Sequence, residues 1–370
     1  MKKKALVALG LIVSLVIILL VIPKVVQNNE HTNNAEENET LENYQIVDED
    51  FNKTVDVPFS RITSFRGNAN SIFMSADHKS SSGLDNKIIQ YNRKTQKYKT
   101  IFNSKFELPS VQGLELNDNW LVWVDSDETG SQKNAYSMNL NTNEIQPLTQ
   151  ENDPNINNAF PVLVEDYAAW ISIDSRTSKP KVMLKNLKTN ETESIFDLNT
   201  YTFMNMFLSA KDGKILFTDK KNNVGYLYLY DVKSKEIKEI KTDYELIGWA
   251  SMLNDQQLIY LTFNDPSESK VDKRKLLFYN ISNKHTQEVV SDVLNVNALY
   301  TDFNNQVFFS YNDKYLIKFK LENNLLVENS ELETPDVYRF SADNDIYIIN
   351  QDLSDEKRKS KLIIQSELSN

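Results

Sequence analysis

A chain of 370 residues, 40% of them hydrophobic, can bury two ordinary domains or one large all-β domain. Its net charge of −11 and pI near 5.0 argue against a nucleic-acid partner, because phosphate binding needs a basic face. The absence of cysteine excludes disulfides, thiolate zinc sites, thiol catalysis and the lipid-bearing cysteine of bacterial lipoproteins.

Lys2, Lys3 and Lys4 open the chain, and residues 5–22 follow without a charge. At about 1.5 Å rise per residue that run nearly crosses a hydrocarbon slab of about 30 Å. Lys24 can snorkel, so the expected span is a transmembrane signal anchor over 5–26. A cleaved signal peptide is the competing reading, but its apolar region is shorter and it ends in a small-residue cleavage site that 23–29 does not offer. A buried core helix is the third. The lysines place residues 1–4 as a cytoplasmic stub and the rest outside. The expected location is the cell membrane, with one span, a cytoplasmic N-terminus and an extracytoplasmic C-terminal domain. The acidic body limits membrane contact to the helix. Residues 27–50, rich in Asn and Glu with little apolar periodicity, read as a flexible acidic tether.

From about residue 60 the chain repeats. Hairpin-like segments at 91–95, 138–142, 185–189, 230–234, 279–283 and 319–323 end at Thr95, Thr142, Thr189, Ser234, Asn283 and Asn323. Their spacing is about 45 residues, that of a four-stranded propeller blade, and they lack the i, i+3, i+4 patterning of helical repeats. Asn or Asp before Thr, Ser or Asn suits a tight turn, because short polar side chains bond the turn's own backbone and tolerate positive φ. Upstream of each hairpin stands an apolar trio, opened by Ile72, Leu121, Ala168, Ile215, Leu258, Val307 and Ile346. The third place is always large: Met74, Trp123, Trp170, Phe217, Tyr260, Phe309 and Ile348. That place predicts core wedged between neighbouring blades, not a carbohydrate platform. A moderately apolar run before each trio (61–65, 111–116, 159–164, 206–210, 246–250, 297–301, 337–340) predicts the innermost strand.

The fold class expected is therefore all-β: a seven-bladed β-propeller of four-stranded antiparallel blades over 51–370, preceded by one transmembrane helix. The last unit runs out of chain before a fourth strand. Residues 51–57 alternate suitably to supply it, closing the ring and removing an exposed edge.

These strands and hairpins resemble the TolB-like bacterial β-propellers. The carrying pattern is a Val/Ile-x-aromatic strand ending in Asp, then a hairpin of the Tyr-Asn-Leu-Lys-Thr type, over about 310 residues. The resemblance implies protein contact, or a propeller attached to an enzyme, and carries no chemistry of its own. The chain departs from that family in having few glycines and an anchor in place of a cleaved export signal. Likeness to WD-type propellers is weaker, since no Trp-Asp pair ends the third strand.

Each second strand runs into Asp77, Asp125, Asp174, Asp219, Asp265, Asp313 or Asn350. A ring of carboxylates at one mouth is the sharp reading, and Asp capping its own turn the plainer one that recurrence favours. Asp125 and Asp127, with Gly130 close behind, make the best cation loop, although Thr129 stands where a third acid is wanted and no bidentate Glu follows. The loops after the second strands (77–87, 125–134, 265–275, 351–360) are expected to be the longest and to gather on one face, where binding concentrates. For catalysis His31, His78 and His285 are scattered, and no nucleophile elbow, zincin or phosphate-loop motif occurs. No cofactor is expected. The function expected is a binding or scaffolding module for an envelope protein or polymer on the loop face, not an enzyme. The alternative is a glycan-active enzyme using channel carboxylates, and a sensor is a third idea.

Overall fold

The computed structural model describes residues 46–49, 52–59, 61–77, 86–149, 153, 155–201, 206–263, 274–302, 304–311, 316–332, 337–342, 345–351 and 360–366. The stub and span expected over 1–26, and most of the tether, lie outside them. Among the described residues no helix is long and apolar enough to cross a membrane. All of the regular structure described is β.

Strands β1 (Ile46–Glu49) and β2 (Asn52–Val57) come first but join the last sheet. The first sheet is a meander of β3 (Arg61–Gly67), β4 (Ser71–Asp77), β5 (Lys87–Asn92) and β6 (Lys97–Asn103). The second holds β7 (Pro109–Leu116), β8 (Trp120–Asp127), β9 (Lys133–Asn139) and β10 (Ile145–Pro147). In the third, two short pieces, β11 (Ile156–Asn158) and β12 (Val162–Val164), both pair with β13 (Tyr167–Asp174), followed by β14 (Lys179–Asn186) and β15 (Thr192–Asp197). The fourth holds β16 (Ser209–Lys211), β17 (Lys214–Lys221), β18 (Val224–Asp231) and β19 (Ile237–Lys241). The fifth holds β20 (Leu246–Asn254), β21 (Gln257–Phe263), β22 (Arg274–Asn280) and β23 (His285–Val293). The sixth holds β24 (Val296–Thr301), β25 (Val307–Tyr311), β26 (Leu316–Glu322) and β27 (Leu325–Leu332). The seventh runs β28 (Val337–Ala342), β29 (Asp345–Gln351), β30 (Ser360–Ser366), β2, β1. Every pairing is antiparallel. β2 lies against β30 with Val55 opposite Leu362 and Thr54 opposite Ile363. The strand β1 occupies the end of the expected tether.

The inner strands β3, β7, β12, β16, β20, β24 and β28 follow one another side by side, and β28 returns to β3. They therefore surround a common axis. Each meander has two apolar faces and hides them against its neighbours, so the core is a series of slabs between sheets. Phe102 of the first sheet meets Trp123 of the second at 5.2 Å, and Phe196 of the third meets Phe217 of the fourth at 5.0 Å. Val55, Val57, Leu362 and Ile364 pack with Ile62, Met74 and Tyr91, joining the last sheet to the first. The third-place residues Met74, Trp123, Trp170, Phe217, Tyr260 and Phe309 are all buried, as the repeat predicts.

The third-to-fourth-strand turns show how so few glycines suffice. Asn92, Asn139, Asn186, Asp231 and Asn280 each accept two backbone N–H groups of the turn they open, at 2.8–3.3 Å. Gln96, Asn143, Asn190, Lys235 and Lys284 close them with φ between 57° and 66°. The sixth sheet differs. Its turn is the pair Asn323–Asn324, both at positive φ, a two-residue connection between β26 and β27. The fourth sheet also corrects the expectation of long second-to-third-strand loops. Only Asn222 and Asn223, again at positive φ, connect β17 to β18.

Candidate functional site

The series of acids splits into different jobs. Asp77 and Asn350 have side chains outside the described set, as do Asp265 and Asp313 entirely. Asp125 is fully buried and accepts Ser104 Oγ at 2.5 Å and Lys105 N at 3.0 Å. Asp219, also buried, accepts the backbone and side chain of both Asn199 and Thr200 at 2.7–3.0 Å. In both cases the donors belong to the connection arriving from the preceding sheet, so each Asp ties one sheet to the next. Asp174 instead caps its own turn, accepting Arg176 N at 2.9 Å and the Arg176 guanidinium at 2.7 Å. The three described acids, Asp125, Asp174 and Asp219, thus serve different partners.

The two acids of the candidate cation loop, Asp125 and Asp127, are engaged by different partners. Asp127 turns to its own loop, accepting Ser131 N at 2.8 Å, Ser131 Oγ at 2.6 Å and Thr129 Oγ1 at 3.1 Å, while Asp125 is spent on the linker. Burial pushes the Asp127 carboxyl up, but these hydrogen bonds outweigh it and hold the carboxyl below its ordinary value. The two carboxylates do not converge. Among the described residues no group of three or more His, Cys, Asp or Glu could hold a metal. His285 opens β23, while His31 and His78 lie outside the described residues.

What the structure does bring together lies on the axis. Strand register places seven residues at one height: Arg66 opposite Phe73, Glu115 opposite Val122, Val162 opposite Ala169 and Ser209 opposite Leu216. Ser251 opposite Ile259, Tyr300 opposite Phe308 and Ser341 opposite Tyr347 complete the set. Arg66 grips Glu115 of the next sheet through two bonds, Nη2 to Oε1 at 2.7 Å and Nε to Oε2 at 3.2 Å. Its guanidinium also lies 5.9 Å from the centre of the Tyr300 ring, two inner strands away. The Ser209 and Ser251 hydroxyls are 3.5 Å apart, and Ser251 meets Thr301 at 3.0 Å.

One step further from the inner-strand turns, an extra residue enters most inner strands. Register slips by one between Ile62 and Ser64, Gln112 and Glu115, Gly248 and Ser251, Val296 and Ala298, and Val337 and Arg339. In the third sheet the same excess breaks β11 from β12 around Phe160. Such bulges re-aim side chains. Here they set an arc of rings: Phe160 stacks on Phe207 at 6.1 Å and 9°, and Phe207 meets Trp249 at 5.9 Å. Trp249 is held at φ +43°. Gly113, at φ +66°, ends the arc, since a Cβ there would fall 2.4 Å from Phe160 Cδ1. All three rings are half-buried.

At the turn end one side chain bridges two sheets that are not neighbours. Lys211 Nζ donates to the Asp302 carbonyl at 2.7 Å, passing over the fifth sheet. Burial pushes the Lys211 ammonium down, opposed by Asp212 and Asp302. Together these groups make a cup along the axis: the Arg66–Glu115 level is a polar floor, and the three rings form an aromatic wall on the side of the second-to-third-strand loops. Periodicity alone does not reveal it. Gly113 and Gly248 inside inner-strand runs were the available signal, because glycine within a strand marks a bulge or a close approach.

No protein-family model matches the chain, and no curated protein matches it either. Solved structures do. An oligogalacturonate lyase from Vibrio parahaemolyticus aligns with TM-score 0.58 and 14% identity, over 88% of this chain and 97% of that one. A prolyl endopeptidase aligns with TM-score 0.59 and 12% identity, over 82% of this chain and 47% of that one. TolB from Acinetobacter baumannii aligns with TM-score 0.42 and 12% identity, over 81% and 78%, too loosely to carry an argument. At these identities the likeness is one of fold: the chain is similar to β-propeller proteins, some of them enzymes and some not.

Proposed function

We propose that the chain is a seven-bladed β-propeller closed by β2, anchored outside a membrane by residues 5–26, that binds or scaffolds an envelope protein or polymer. The seven sheets and the β2–β30 pairing support the ring, and the apolar run after three lysines supports the anchor. The observation that carries the binding reading is the Arg66–Glu115 pair. These are the two ionic residues of the axial ring and each neutralises the other, which suits holding a ligand better than moving a proton.

The glycan-active enzyme needs two carboxyls roughly 5–10 Å apart across the substrate. Glu115 is the single acid at the ring positions, so this reading ranks second. Location and binding face are tested together on a chain with no native cysteine. Ser131→Cys, in an exposed loop, is expected to react with a membrane-impermeant maleimide on intact cells. A photo-crosslinker at Glu128 is expected to give one discrete adduct. Labelling only after lysis refutes the topology, and adducts from the outer strand β19 but not from Glu128 refute the loop face.

A further inference from the structure

The axial cup offers a chemistry that narrows the ligand class, and this inference rests on the binding reading above. We propose that the cup binds a neutral sugar ring, the end unit of an oligosaccharide or hydroxyl-rich polymer, entering from the loop side. Three half-buried rings on three successive sheets, Phe160, Phe207 and Trp249, present a curved apolar wall of the kind that receives the C–H face of a pyranose. Below them the floor mixes donors and acceptors: the Arg66–Glu115 pair, and the hydroxyls of Ser209, Ser251 and Thr301. Solvent reaches this floor, for the Glu115 side chain is 34% exposed and that of Arg66 16%.

The pairing decides against charged ligands. An anion must displace Glu115 from a two-bond grip on Arg66, and a cation must displace Arg66 from Glu115. The chain's net charge of −11 further repels a polyanion. An aromatic peptide side chain would fill the wall yet leave the floor's donors and acceptors dry and unmatched, which costs more than the stacking returns. Sugar hydroxyls match them. Lys211 to Asp302 and Arg66 to Tyr300 each bridge inner strands two places apart and narrow the turn end, which favours a chain end entering from the loop side.

Trp249 makes the test direct. Of the four tryptophans, Trp120, Trp123 and Trp170 are buried and Trp249 is not. The full chain in detergent is titrated with cellotetraose, maltotetraose and chitotetraose, and in parallel with tetragalacturonate and a Phe-containing tetrapeptide, by fluorescence and calorimetry. The expected result is a saturable blue shift with at least one neutral tetrasaccharide, weakened about tenfold by Phe207→Ala. Trp249→Phe is expected to abolish the shift while calorimetric heat remains. Ser251→Ala, a change too small to endanger folding, is expected to weaken binding about threefold or more. The proposal is overturned if no neutral tetrasaccharide gives signal or heat up to about 10 mM. It is equally overturned if the acidic sugar or the peptide binds in their place, or if binding ignores Phe207→Ala and Ser251→Ala alike. A discrete Glu128 adduct alongside any of these results leaves the binding module standing and removes only the sugar.

Discussion

Replacing Asp219 tests how the sheets are tied. Its buried carboxylate accepts Asn199 N at 2.8 Å, Asn199 Nδ2 at 2.7 Å, Thr200 N at 3.0 Å, Thr200 Oγ1 at 2.9 Å and Lys220 N at 2.8 Å. Asp219→Ala strands these donors. Asn199 is exposed and recovers water, whereas Thr200 is half-buried and recovers it only in part. With about 1–3 kcal/mol for each donor left without a partner and partial rehydration of the rest, the loss is about 3 kcal/mol. A ring of roughly 320 residues unfolds with an entropy near 0.7 kcal/mol/K, so the midpoint should fall about 4–5 °C in a calorimetric scan. Asp219→Asn should do little better, because one of its two terminal atoms becomes a donor aimed at donors. Hydrogen exchange should quicken first at Asn199 and Thr200. A midpoint change under about 1 °C for Asp219→Ala would refute the idea that this residue ties the third sheet to the fourth.

Further outcomes follow from single positions. Gly113→Ala forces a Cβ onto the Phe160 ring at a backbone angle hostile to side chains, and should cost about 2–4 kcal/mol in denaturant titration. Asn324→Gly suits the backbone but removes the oxygen that accepts the buried Gln257 Nε2 at 3.3 Å, and should cost about 1 kcal/mol, whereas Asn324→Val, β-branched at φ 63° and lacking that oxygen too, should cost about 2–4 kcal/mol by the same assay. The hydrogen bond from Lys188 at 2.6 Å, aided by Trp120 Nε1, holds the Asp166 carboxyl below its ordinary value against the opposing effect of burial. A carboxyl lowered by folding adds stability above its unfolded value, near pH 4, and loses it as pH falls through the folded value. The midpoint difference between wild type and Asp166→Asn should therefore shrink from pH 6 to pH 3.

Much of this fold was written in short-range signals. Asn92, Asn139, Asn186, Asp231 and Asn280 bond to backbone two or three residues away, so their turns could be read from local chemistry. The large third-place residues could be read because every sheet must bury the same position. The sixth turn escaped because Asn323–Asn324 reaches the same hairpin by another backbone route. Asp125 and Asp219 escaped because their partners belong to the sheet before, about 20 residues back, and nothing local marks the bond. The axial cup was least legible of all. Arg66 meets Glu115, which is 49 residues away, and shares a level with it only once the register is known. A one-residue bulge in a mixed apolar run leaves the periodicity almost unchanged, so Phe160, Phe207 and Trp249 read as ordinary strand residues until glycines 113 and 248 are taken as markers.

The claim beneath the rest is that the chain's two ends complete one sheet. Thr54 and Ile363 stand opposite each other in the β2–β30 register, and no other cysteine competes. Thr54→Cys with Ile363→Cys should oxidise to a cross-link in the folded protein, since antiparallel partners lie about 4.5–5.5 Å apart at Cα, within disulfide reach. The account predicts near-complete closure, a faster-migrating band on non-reducing gels and a raised thermal midpoint. Free thiols at both positions in the folded chain, or cross-links only between molecules, would contradict it.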